Sequence, residues 1–364
     1  MVGGFLGAGK TTAMLRLAEH LTERGRRVGL ITNDQSHGLV DTSLVAAHGY
    51  PVQEITGGCF CCRFNSLTEA ADRLTRDGRP DVFLAEPVGS CTDLRATVQY
   101  PLSRLYGHDY RIAPLSVLVD PVRARRIFGL EPGRTFSPKV LYVYAKQLEE
   151  ADLIIINKSD LLTSDQQRTL EKVLHDRYLQ AEVFTVSART GANLDTWFGR
   201  LAAAELAPRR AMDVDYDVYA EGEALLGWLN ATIRIAASAP FDGNRFLHRL
   251  ATGVHAQLAA DGLEIAHLKM TLAPSEGNDL AALNLVRTDG EPELSHRLEE
   301  AVTEGELILN LRAEGDPNRL DAVVRETLRD TSRQVDAVTT FEHSEYFRPA
   351  RPNPTHRMAT LGAD

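Results

Sequence analysis

From the start of the chain to about residue 205, short apolar runs alternate with stretches of helical period. Residues 28–32, 82–85, 115–120, 153–157 and 181–187 are aliphatic or β-branched and bounded by polar or turn residues. Continuous apolar runs of this length predict strands buried on both faces, as in a parallel sheet. Between them, residues 11–24 place Met14, Leu17 and Leu21 on one helical face and stop at Gly25, a helix-terminating residue. The alternation predicts an α/β domain over residues 1–208, with a doubly wound parallel sheet.

The pattern then changes. Residues 209–222, just past Pro208, carry several acidic side chains and no period, which predicts a linker. Residues 228–235 alternate, with Ala231, Ile233 and Ile235 set against Asn230, Thr232 and Arg234. Phe246, Leu250, Val254 and Leu258 have helical spacing, residues 263–272, 280–287 and 307–312 have the pattern of strands, and Leu320, Val323, Val324, Thr327 and Leu328 mark a last amphipathic helix. That order predicts a second, smaller α+β domain over 223–338, with helices on one sheet face. Residues 339–364, rich in Pro, Arg and His, are expected to form a flexible tail.

The composition is that of an ordinary globular chain: 364 residues, 43% hydrophobic and 25% charged. A formal net charge of −10 argues against nucleic acid and anionic lipid as partners. No apolar run reaches the ~20 residues that cross a bilayer, and no leader pattern opens the chain. Four cysteines are too few for a disulfide framework, and three of them fall within four positions. That predicts a thiolate or metal site in a reducing, cytoplasmic setting.

Gly4-Phe5-Leu6-Gly7-Ala8-Gly9-Lys10-Thr11 matches the phosphate-binding loop of P-loop NTPases. Gly4, Gly7, Ala8 and Gly9 would turn backbone N–H groups toward phosphate oxygens, followed by Thr12 on the first helical turn. Lys10 would reach the β- and γ-phosphates and the Thr11 hydroxyl would bind Mg²⁺, with the helix dipole behind them. A strand normally feeds such a loop, yet only Met1 and Val2 precede Gly3, so the natural protein is expected to extend further upstream.

Asn157-Lys158-Ser159-Asp160 closes a strand and matches N-K-x-D. The Asp160 carboxylate would accept from guanine N1–H and N2–H₂, a donor pair adenine lacks, which selects GTP over ATP. Asn157 would brace the loop, Lys158 would stack on the base, and the backbone at Ser187-Ala188 would meet guanine O6.

The strand at 81–85 ends in Glu86-Pro87-Val88-Gly89. Glu86 would hold the Mg²⁺ shell and Gly89 N–H would sense the γ-phosphate. Lys10, Thr11 and Glu86 are therefore the candidate catalytic residues. Between the first helix and this strand stands Gly57-Gly58-Cys59-Phe60-Cys61-Cys62. Cys59, Cys61 and Cys62 are too close to pair as unstrained disulfides and supply soft ligands suited to Zn²⁺ or Co²⁺. Cys91 is a further thiol two residues past Gly89.

The glycine loop, then Gly58-Cys59-Phe60-Cys61-Cys62, then Glu86-Pro87-Val88-Gly89, then Asn157-Lys158-Ser159-Asp160, in that order along roughly residues 1–200, resemble the CobW family of metal-handling P-loop GTPases. The resemblance implies slow GTP hydrolysis coupled to delivery of Zn²⁺, Co²⁺ or a related ion to a client metalloprotein or cofactor pathway. The family's N-E-F-G-E segment corresponds to Asn33-Asp34-Gln35-Ser36-His37, with Asp34 and His37 in place of the two glutamates. Asp34 and His37 are candidate extra metal ligands. Asp41, retained from the family pattern, is expected with Thr11 and Glu86 at Mg²⁺. Asp34, His37 and Asp41 are candidates for orienting the attacking water. Two alternatives share the GTPase domain: a regulatory GTPase with a structural zinc site, and an activator inserting a metal cofactor such as cobalamin into a client enzyme. A homo-oligomer is compatible with any of these.

Overall fold

The computed structural model describes residues 1–35, 40–277 and 279–361. The chain divides into two compact units. One comprises Met1–Gln35, His48–Gly222 and Arg351–Asp364; the other comprises Ser36–Ala47 and Glu223–Ala350.

The first unit is built on parallel strands β1 (Val2–Gly4), β2 (Val28–Asn33), β3 (Val52–Ile55), β4 (Val82–Glu86), β5 (Ser116–Val119), β6 (Leu153–Ile156) and β7 (Glu182–Thr185). The hydrogen-bonded orders are β3-β2-β4 and β1-β5-β6-β7, every ladder parallel, and β4 lies beside β1. The central strands β2, β5 and β6 are buried along their whole length, as strands covered on both faces are, and their sequences are mainly apolar runs. The Leu153–Ile156 strand is fully buried. The helix Phe64–Gly78 buries Phe64, Leu67, Ala70, Ala71 and Leu74 on one stripe. At the far end of the unit, the Trp197 indole N–H donates to Ser116 Oγ at 2.9 Å, tying the helix Leu194–Ala203 to β5.

The second unit holds an antiparallel sheet of β8 (Leu226–Phe241), β9 (Glu264–Pro274), β10 (Ala281–Leu285), β11 (Glu293–His296), β12 (Val302–Glu314) and β13 (Ala337–Phe347), ordered β11-β10-β9-β12-β8-β13 among the described residues. Alternate residues of β8, Leu229, Ala231, Ile233 and Ile235, meet Leu268, Met270 and Leu272 of β9 and Leu307, Leu309 and Leu311 of β12 in one core with the helices Gly243–Ala260 and Pro317–Arg333. The helix Val40–Ala47 belongs to this unit as well. Its Val40 N–H donates to Asn310 Oδ1 at 3.0 Å, and Val40 packs with Ala282.

Three sequence expectations are corrected. The stretch 209–222 is not a bare linker. It lies within the first unit, and the helix Tyr216–Leu225 begins inside it, with Tyr219 fully buried. The second unit contains two strands beyond those expected, β11 and β13. The segment from residue 339 is not a loose tail: β13 pairs with β8 along its length, and residues from 351 onward pack on the first unit. As an edge strand, β13 turns Ala337 and Phe341 to the core and leaves Val338 and Tyr346 exposed.

Candidate nucleotide and metal sites

The loop after β1 turns sharply into the helix Lys10–Glu23. Gly9 occupies the residue before that helix with φ 88°, and a Cβ there would lie 2.5 Å from Asn157 Nδ2. Only glycine lets the 157 loop close this tightly on the phosphate loop. Asn157 Nδ2 donates to the Ala8 carbonyl at 2.9 Å, and Asn157 Oδ1 accepts from Ala188 N–H at 2.9 Å, so one amide joins three loops. Lys158 Nζ donates to the Gly7 carbonyl at 2.7 Å and pairs with Asp120 at 2.8 Å. Ser187 Oγ donates to the exposed Asp160 carboxylate at 2.5 Å. Thr12 is exposed on the first helical turn.

Thr11 Oγ1 donates to the Glu86 carboxylate at 3.1 Å, and Lys10 Nζ stands 3.7 Å from it, with all three side chains buried. A hydroxyl and a carboxylate converging beside an ammonium are the oxygen donors a phosphate-bound Mg²⁺ takes. Gly89 follows at the end of the β4 loop. A Cβ on it would lie 2.6 Å from Leu6 Cδ2 and 3.1 Å from Lys10 Nζ.

The thiols hang from the same carboxyl edge of the sheet. Asn33, the last residue of β2, donates from Nδ2 to the Gly58 carbonyl at 2.8 Å and accepts from Phe60 N–H at 2.9 Å. Its neighbour Thr32 is registered against Glu86. Ligands of open parallel sheets sit at the carboxyl ends of strands, and both sets of side chains lie there. Cys59 Sγ is 2.8 Å from Cys61 Sγ and 3.5 Å from Cys62 Sγ, and Cys61 and Cys62 are 3.6 Å apart. Thiolates on one tetrahedral zinc, with bonds of about 2.3 Å, sit roughly 3.8 Å apart, so the trio fits one triangular face of such a site after a small opening of the closest pair. All four cysteines of the chain are free.

Hydrogen bonding with the Cys61, Cys62 and Cys91 thiols holds Cys59 well below the usual thiol range, against the effect of its burial. The same contacts with Cys59 and Cys62, with burial, push Cys61 well up. The Cys59 contact, partly offset by Cys61, pushes Cys62 up to about 11.

Of the other expected ligands, Asp34 is not part of the thiol cluster. Among the described residues, the group of three or more His, Cys, Asp and Glu donors close enough for one ion is the three thiols alone. Asp41, expected at Mg²⁺, lies in the second unit, where both its carboxylate oxygens accept from Lys269 Nζ at 2.6 and 2.7 Å. A carboxylate held this way already has its counter-charge. His37 lies outside the described residues.

Several residues at these sites carry no motif signature. Gln147 Nε2 donates to the carbonyls of Gly89 (3.0 Å) and Cys91 (2.9 Å), and its only sequence signal is an amide among the mainly apolar buried positions of the helix Pro138–Glu150. Arg123 donates to the Leu6 carbonyl at 2.7 Å with its guanidinium over Phe5 and Phe136. Asn353 N–H donates to Cys62 Sγ at 3.2 Å.

The parallel sheet, its glycine loop and the Asn157 loop braced against it define a P-loop nucleotide-binding domain. The chain belongs to the CobW/HypB/UreG nucleotide-binding domain family, whose model matches residues 1–185, just over half of its length. It is 30% identical over 182 residues to the zinc chaperone YeiR of Escherichia coli (strain K12), covering 47% of this chain and 49% of that protein. It is 26% identical over 225 residues to the zinc chaperone CobW of a Sinorhizobium species, covering 57% and 60%. The chain therefore spans about half to three fifths of the length of these curated relatives. Among solved structures it is similar to the Zn(II)-bound YjiA GTPase from E. coli, at 14% identity and a TM-score of 0.37, over 90% of this chain and 97% of that one. A likeness at that level carries no inference about this chain. No helix among the described residues is long and apolar enough to cross a membrane.

Proposed function

We propose that the chain binds and slowly hydrolyses GTP, carries Zn²⁺ as cargo on Cys59, Cys61 and Cys62, and passes it to a client metalloprotein under control of the bound nucleotide. One observation carries this reading. Asn33, which pins the thiol turn, ends the strand whose Thr32 is registered against Glu86, and Glu86 meets Thr11 and Lys10 of the phosphate loop. Movement at the phosphate end of β4 is thereby passed to the neighbouring strand end and to the sulfurs.

The site residues have separable roles. The N–H groups of residues 7–12 and Lys10 hold the phosphates, Asp160 reads the base, and Asn157 keeps the two loops together. Thr11 and Glu86 would hold Mg²⁺, which when bound neutralises charge on the phosphate oxygens. Lys10 stabilises the charge that spreads on the transferring phosphoryl group as water displaces GDP. Three thiols leave the fourth zinc position to an outside ligand, which suits an ion that must depart, whereas structural sites are closed by four protein ligands. The curated relatives named as zinc chaperones favour Zn²⁺ over Co²⁺. Four free thiols favour a reducing compartment such as the cytoplasm. A slow hydrolysis step gives the loaded state time to meet its client.

The test is a zinc titration of the full chain against a chromophoric chelator, with a non-hydrolysable GTP analogue and with GDP. The expected result is one zinc per chain and an affinity that differs between nucleotides by about tenfold or more, the size of an ordinary coupling free energy. Cys59→Ala, Cys61→Ala and Cys62→Ala should each weaken it. Equal affinity in both states would overturn the coupling, and unchanged affinity in the three variants would overturn the site.

A further inference from the structure

The chain returns to the first unit at Arg351 and runs across the thiol turn. Asn353 N–H donates to Cys62 Sγ at 3.2 Å. Thr355 donates twice to the same turn, from N–H to the Cys61 carbonyl at 2.8 Å and from Oγ1 to the Cys62 carbonyl at 3.2 Å. The His356 ring stands edge-on to Phe64, the residue that opens the following helix, at 4.9 Å. Arg357 Nε pairs with the Asp93 carboxylate at 2.7 Å, and its Nη2 donates to the Met212 carbonyl at 3.0 Å. Met358 N–H donates to the Ala96 carbonyl at 2.9 Å, and Ala211 N–H donates to the Ala359 carbonyl at 2.8 Å. Arg351 pairs with Asp217.

We propose that residues 351–361 are a latch over the thiol site, positioned by Arg357, and that Cys62 exchanges ligands with an outside acceptor only when the latch lifts. Cys59 and Cys61 are buried, and Cys62 is the half-exposed member of the trio. An acceptor's ligand must therefore approach past Cys62, and that sulfur is the one Asn353 caps. The latch is held by polar contacts, each of modest net strength, and by Met358 and Leu361 packed on Ala96, Tyr100 and Ala211, a small patch apart from the sheet, so it can open without unfolding the sheet beneath it. Its pin is placed to respond to nucleotide. Asp93 ends the segment that begins at Glu86 and passes Gly89, and its carboxylate also accepts from Tyr216 Oη at 2.7 Å. The cargo role of the latch rests on the zinc reading above; its cover over Cys62 does not.

Two measurements separate these. In the first, metal-free full-length protein bound to GDP is alkylated with iodoacetamide, and modification at Cys62 is followed by peptide mass spectrometry. Arg357→Ala, Met358→Pro and a chain truncated after Ala350 should each be modified at Cys62 about tenfold faster, since reaction follows the population of the opened segment. Arg357→Lys, which keeps the charge on Asp93, should restore most of the protection. The far-ultraviolet circular dichroism of the point variants should match that of the wild type, showing that the sheet is intact. Equal alkylation of wild type and Arg357→Ala overturns the latch; if either that variant or the truncated chain fails to fold, Met358→Pro decides by the same readout. In the second, the transfer of Zn²⁺ to a chelator should be faster in the same variants. Wild-type protein that holds no zinc on its thiols defeats the zinc reading and leaves the alkylation result standing. Zinc transfer unchanged in variants with a demonstrably freed Cys62 defeats the latch as a gate.

Discussion

Gln147 Nε2 donates to the Cys91 carbonyl oxygen at 2.9 Å while the same amide holds Gly89 at 3.0 Å. One buried side chain thus fixes both ends of the short segment from Gly89, the proposed γ-phosphate sensor, to Cys91, whose thiol is hydrogen-bonded with Cys59. Replacing Gln147 by Leu keeps the volume and strands two buried carbonyls. The expected cost is about 1–3 kcal/mol of stability. A calorimetric unfolding scan checks that loss. Zinc titration with GTP analogue and with GDP should show the two affinities converging.

Lys10 and Thr11 face the same carboxylate from one helical turn, so their loss should differ in kind. Lys10→Ala removes a charged hydrogen-bond donor to phosphate and should weaken GTP and GDP alike by about 1.5–3 kcal/mol. Thr11→Ala should leave metal-free nucleotide binding nearly intact and abolish its dependence on Mg²⁺. Titrations of a fluorescent nucleotide with Mg²⁺ and with EDTA distinguish the two.

Asp160 is exposed and tethered by Ser187. If it reads the guanine edge, Asp160→Ala should cost GTP about a hundredfold in affinity and leave ATP unchanged, because a site built for a donor pair discriminates through the groups left unpaired. Competition of both nucleotides against one labelled GDP measures this directly.

Glu150 supplies a pH dependence. It is buried, it accepts from Arg95 N–H at 3.1 Å, and Thr92 Oγ1 donates to it at 3.2 Å. Burial pushes its carboxyl up to about 8, and the nearby Asp93 charge adds to the rise. The folded chain therefore holds a proton that the unfolded chain has released from about pH 5 upward. Stability from this group is complete at acid pH and falls as pH rises toward 8, by at most about 1.4 kcal/mol per pH unit. Glu150→Gln mimics the protonated form and should flatten that slope. Melting temperatures of both proteins at pH 5.5, 7 and 8.5 provide the comparison.

The parts of the fold that were legible in the sequence are those whose physics is local. The runs around residues 153–157 and 82–85 announce buried parallel strands because both faces must be apolar. The glycine loop, the Asn157 loop and the thiol turn announce themselves because each needs particular residues at fixed spacing. What stayed hidden depends on partners distant in sequence. Asp41 carries the family's acidic signature, yet its charge is met by Lys269 from across the second unit. Strand β13 turns Ala337 and Phe341 to the core, but its register shifts between Phe341 and His343, which breaks the alternation. The segment from Arg351 has the proline-rich, polar composition of a free end, and it is ordered by main-chain donors and ion pairs that leave no periodic trace.

The capping of Cys62 by Asn353 also sets an order of biosynthesis. The two are separated by 291 positions. At ordinary ribosomal speeds of about 5–20 residues per second, the sulfurs leave the tunnel roughly 15–60 s before their cover exists. For that interval the nascent thiols stand open to whatever ion or oxidant the surroundings offer, so on the proposed zinc reading first loading belongs to translation as much as to the finished protein.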